Sequence, residues 1–87
     1  MLVIVSVRRL DNDRIEIGVM RPQHDLNLSR NYASEKDVRV VLSHFGISRE
    51  VIDLHLKLLA QTGTCEQLNF PPMDIPQHEL LSMGFRL

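Results

Sequence analysis

The chain has 87 residues and 44% apolar content, room for one hydrophobic core and too little for two. Ten Lys and Arg stand against eleven Asp and Glu, a formal charge of −1, so no global field draws nucleic acid or an anionic membrane. Cys65 is the only cysteine, which rules out an intramolecular disulfide and with it a disulfide-built secreted scaffold.

Leu2 to Val7 is apolar and β-branched on both faces, as expected of a strand covered on both sides or central in a sheet. The apolar opening stops at Arg8-Arg9 with no basic region before it, far short of a membrane span and poor as a signal peptide, so a soluble cytoplasmic protein is expected. Arg14 to Met20 alternates, with Ile15, Ile17 and Val19 on one face. Leu10-Asp11-Asn12-Asp13 between them is turn chemistry, because Asn and Asp tolerate positive φ, and it predicts an antiparallel hairpin. Pro22 ends the second strand or marks its edge, and Leu26 with Leu28 suggests a short third one whose continuation toward Tyr32 the pattern leaves open.

Two helices follow. Ser34 is placed to cap the first, with Glu35 and Asp37 at the positive end of its dipole. Val38, Val41, Leu42 and Phe45 form its apolar stripe, and Gly46 supplies a left-handed residue that ends it, with Ile47 folding back on Leu42. Ser48 caps the second helix, which runs from Arg49 to Gln61 and stops before Gly63. Val51, Ile52, Leu54, Leu56, Leu58 and Leu59 give it an apolar arc wider than half the circumference, more than one flat sheet covers. Something else should contact it.

Glu66 to Phe70 alternates as a short strand and stops at Pro71-Pro72, which cannot donate to a ladder. Asp74-Ile75-Pro76-Gln77 then reads as the start of a final short helix, Asp74 its cap, with Leu80, Leu81 and Met83 apolar and Gly84-Phe85 repeating the stop at Gly46-Ile47. The order β-β-(β)-α-α-β-α predicts one α+β domain over residues 1–87, with an αα-hairpin and a short C-terminal helix on one face of a small antiparallel sheet.

The segment Leu42-Ser43-His44-Phe45-Gly46-Ile47-Ser48-Arg49-Glu50-Val51-Ile52 resembles the helix-turn-helix of DNA-binding regulators. That resemblance implies that Arg49, Glu50 and Asp53, the first exposed residues of the second helix, would meet the major groove. Two of the three are acids. Leu42 stands where the motif usually keeps Ala, and His55 where it is usually aliphatic.

His55 falls within the apolar arc, where an imidazole needs a hydrogen-bond partner. His24, His44, His78 and Cys65 lack the close pairing that holds two ligands on one element, so neither metal nor cofactor is expected. There is no Gly-x-Ser-x-Gly elbow and no glycine-rich phosphate loop, and Cys65 has no neighbouring cation in sequence. Catalysis is therefore the least favoured reading. The favoured one is a small interaction or accessory protein that self-associates as a homo-oligomer or binds a protein partner through Val40, His44, Arg49, His55 and Met73, with no role at a membrane. The alternative is a nucleic-acid-binding regulator using residues 34–60.

Overall fold

A computed structural model describes residues 1–23, 25–61 and 66–87; the readings of His24, Gly63 and Cys65 lie outside them. The elements are β1 (Leu2–Arg9), β2 (Ile15–Met20), β3 (Asn27–Tyr32), α1 (Glu35–His44), α2 (Arg49–Gln61), β4 (Gln67–Asn69), β5 (Met73–Asp74) and α3 (Gln77–Ser82). This is the α+β architecture that the chain order implies.

The strands form one antiparallel sheet in the order β3-β2-β1-β4, with β5 also on β1. Register follows the alternation. Val5 faces Val19 and Val7 faces Ile17, while Val19 faces Leu28 and Ile15 faces Tyr32; all of these side chains are buried on the helical side. The β1–β2 turn is closed by Asp13 donating to the Leu10 carbonyl (3.1 Å), and Asp13 takes a φ of 62°. Asn12 Oδ1 accepts from the Arg14 amide at 3.1 Å, the local bond for which Asn favours turns.

The strand before Pro71-Pro72 stops as the prolines imply, β4 ending at Asn69 and Phe70 donating to Val5 (2.8 Å). Beyond them the sequence pattern shows no strand, yet pairing with β1 resumes in β5, with Met73 opposite Val3 and Ile75 donating to Met1 (3.0 Å). Two prolines are tolerated because this is the sheet edge, where an unpaired residue meets solvent. One correction concerns Asp74. It pairs in β5 with Leu2 and takes the N-terminal ammonium as its ion partner, so it does not cap α3. Pro76 occupies the cap position and contributes no side-chain bond.

The helix boundaries are fixed locally. Ser34 Oγ accepts from the Asp37 amide at 3.2 Å. At the other end Gly46 has φ 87°; its amide donates to Ser43 (2.9 Å) and that of Ile47 to Leu42 (3.2 Å), the paired bonds of a Schellman motif. The same arrangement closes α3, with Gly84 at φ 91°, Gly84 donating to Leu81 and Phe85 to Leu80. Val38, Leu42, Ile52, Leu59, Leu80 and Phe85 come down on the sheet's valines and isoleucines as one core. No helix among the described residues is long and apolar enough to cross a membrane.

Candidate interaction surface on the second helix

The arc of α2 divides lengthwise. Ile52, Leu56 and Leu59 are buried against the sheet. Val51 and His55, turned by roughly 60–100° from them, are half-buried. Leu54 and Leu58, on the far edge of the arc, are 55% and 39% exposed.

His55 marks the boundary. Its ring stacks on Phe70 with centroids 4.0 Å apart and planes at 18°. Nδ1 lies 2.8 Å from the Val51 carbonyl oxygen and Nε2 3.0 Å from that of Asn69. A neutral imidazole donates to one of these acceptors and an imidazolium to both. The histidine thus fastens α2 to the edge strand, and the partner that a buried imidazole requires is backbone. The ring is half-buried because the chain after Phe70 covers only one side of it.

Beside it lies an open groove of about 240 Å³ lined by Phe45, Ile47, Val51, Pro71, Pro72 and Met73. It exists because two motifs meet there. The Schellman turn sets Ile47, partly buried against the core, at the start of α2, and the proline pair cannot donate to the sheet. Groove, Val51, Leu58 and Leu54 make a continuous apolar strip along the outer side of α2.

The opposite side of α2 is polar and internally paired. Asp53 accepts from Arg39 of α1, which also reaches Glu35 at 3.2 Å; the bond to Asp53 foremost raises the Arg39 pKa above its usual value. One of the three residues that the helix-turn-helix resemblance assigns to base reading is therefore engaged within the protein. Arg49 lies beside this cluster with Ser43 and Ile52.

The five residues of the predicted interaction surface fall in three places. His55 and Met73 flank Val51 on the apolar strip. Val40, 63% exposed, lies on the outer side of α1, as does His44, whose Nε2 is 2.8 Å from Glu79 Oε1 of α3. Arg49 stands alone near Asp53. Leu54 and Leu58 were visible in the sequence as part of an arc too broad for one sheet; which edge of that arc stays open depends on where residues 70–73 run.

Two further features escape sequence patterning. On the sheet face away from the helices, Ser29, Gly18 and Ser6 stand side by side across three strands, leaving a shallow trough of about 290 Å³. At Gly18 a Cβ would stand 2.9 Å from Ser6 Oγ, so any larger residue there requires that hydroxyl to turn aside. In the core, the Tyr32 hydroxyl is buried and makes no hydrogen bond of good geometry among the described residues; the Arg30 guanidinium is the polar group near enough to attract it. Burial raises its pKa from the ordinary 10.0; the Arg30 guanidinium opposes this and Asp37 reinforces it. Among the described residues no three of His, Cys, Asp and Glu gather to hold a metal ion. Comparison with protein-family models, curated proteins and solved structures finds no match.

Proposed function

We propose that this chain is a small cytoplasmic protein-interaction domain that docks a protein partner on the outer side of α2. One observation carries the reading: the strip of Leu54, Leu58 and Val51, continuous with the proline-lined groove, is left open by a fold that covers every other part of the α2 arc. Large apolar side chains exposed next to one another mark association surfaces, whereas single ones are ordinary. The ion pair of Asp53 with Arg39 supports placing the partner here, because it engages Arg39 on the other side of the helix pair and leaves Arg49 beside acids, poor ground for a phosphate backbone.

The test is affinity capture from cells with the full chain against the Leu54→Glu/Leu58→Glu variant. A partner retained by the native chain and lost by the variant, with helical content unchanged by circular dichroism, supports the proposal. An identical set of captured proteins, or none, counts against it.

A further inference from the structure

We infer that the occupant of this strip is a second copy of the same chain, with α2 packed antiparallel on α2 about a two-fold axis beside Leu54. The inference rests on the protein-interaction reading above and adds the identity and geometry of the partner.

A two-fold interface requires a surface that complements itself, so that residue i meets j′ while j meets i′. The outer side of α2 has that property. Val51, Leu54 and Leu58 form the stripe, and Glu50 and Lys57 stand together along one flank, about 40–60° beyond Leu54 and two turns, roughly 10 Å, apart. The midpoint of Glu50 and Lys57 and the midpoint of Val51 and Leu58 both lie within half a residue of Leu54. An axis there sets Leu54 beside Leu54′, Val51 against Leu58′ in both directions, and Glu50 beside Lys57′ in both directions. A parallel copy, related by an axis along the helices, would set the Glu50–Lys57 flank of each protomer against the proline flank of the other and pair neither charge.

The monomer leaves these charges available. Among the described residues neither Glu50 nor Lys57 is in an ion pair, as is also true of Arg9, Arg14, Lys36 and Arg49, so both are free to pair across an interface. The other flank is occupied by Pro71, Pro72 and Met73, rigid apolar surface that widens the contact beyond one helix. Size sets the kind of dimer. The accessible surface is 5245 Å², close to the roughly 5,200 Å² of a folded monomer of this mass. The protomer is thus already compact, and one face of a 13-residue helix, about 20 Å long, with a proline rim is smaller than the roughly 800 Å² per partner of an ordinary interface. A reversible, concentration-dependent dimer follows, not an obligate one.

Sedimentation equilibrium on the full chain across a concentration series tests this. The native chain should pass from monomer to dimer. Leu54→Glu, at an exposed position that the core does not need, should weaken dimerisation at least about thirtyfold by placing two carboxylates at the axis. Glu50→Lys and Lys57→Glu alone should each weaken it roughly three- to tenfold, since symmetry turns two attractions into two repulsions. The double variant Glu50→Lys/Lys57→Glu should return it to within about twofold of native, as each reversed pair is again opposite in sign. A native chain that stays monomeric overturns the inference, as does a dimer indifferent to Leu54→Glu or not restored by the double reversal. If the native chain is monomeric and Leu54→Glu/Leu58→Glu still loses a captured protein, only the second-copy inference fails. If that variant loses nothing either, the docking reading fails with it.

Discussion

Replacing Tyr32 with phenylalanine is expected to make this protein more stable, against the usual direction of core mutations. The side chain is 6% exposed, and its hydroxyl makes no hydrogen bond of good geometry among the described residues. A buried hydroxyl without a hydrogen bond forfeits its hydration, at about 1–3 kcal/mol. Tyr32→Phe removes that cost and keeps the ring, so packing against α1 survives and the Arg30 guanidinium, 5.1 Å from the ring centroid, retains its aromatic face, but it gives up the attraction between that guanidinium and the phenol oxygen. Allowing for the dispersion attraction and the Arg30 attraction that leave with one oxygen atom, a net gain of at most about 1 kcal/mol remains. In a domain of this size that is a rise in melting temperature of at most about 4–8 °C. The same geometry sets a pH dependence. Because burial raises the folded-state pKa above the ordinary 10.0, the unfolded chain releases the phenolic proton first. The tyrosine's contribution is therefore constant below pH 10 and is lost as pH rises through the folded value. Urea denaturation of both proteins at neutral pH and above pH 10 checks both parts, and with one tyrosine and no tryptophan the tyrosinate absorbance reports this residue alone. A variant less stable than the native chain at neutral pH, or one losing as much stability in base, would refute the argument and require a bonded hydroxyl.

Glycines at two helix ends should differ. At Gly46 a Cβ meets nothing within 4 Å, so Gly46→Ala should cost only the left-handed backbone, about 1–2 kcal/mol; at Gly84 a Cβ also comes within 3.2 Å of Arg30, and Gly84→Ala should cost more by chemical denaturation. His55→Phe keeps the stack on Phe70 but removes the hydrogen bonding to the Val51 and Asn69 carbonyls, and should destabilise by about 0.5–1.5 kcal/mol, with His55→Ala worse; equal losses in urea denaturation would mean that the stacking contributes nothing. Duplex DNA should bind weakly or not at all near physiological salt, because Asp53 is held by Arg39 and Glu50 opposes Arg49 and Lys57. A tight, salt-dependent complex lost in Arg49→Ala would restore the nucleic-acid reading.

What the residues determined on their own were features set within one or two turns of chain. Ser34 and Gly46 bound α1 because a hydroxyl cap and a left-handed residue act on amides three to five positions away, and α2 begins at Arg49 and ends at Gln61 as its periodicity implies. The β1–β2 hairpin is legible for the same reason, since alternation and an Asp-Asn-Asp turn are both local. The path of residues 70–75 was not. Pro71-Pro72 stops an isolated strand, yet here β1 lies alongside with free backbone groups, so pairing resumes at Met73 and draws Asp74 away from α3. That long-range pairing decides which half of the α2 arc is covered. His55 comes to rest on Phe70 because β4 reaches it, and Leu54 and Leu58 remain in solvent because nothing in the sheet or the last helix extends that far. The width of an apolar arc can be counted along the chain, but its open edge is set by where distant segments end.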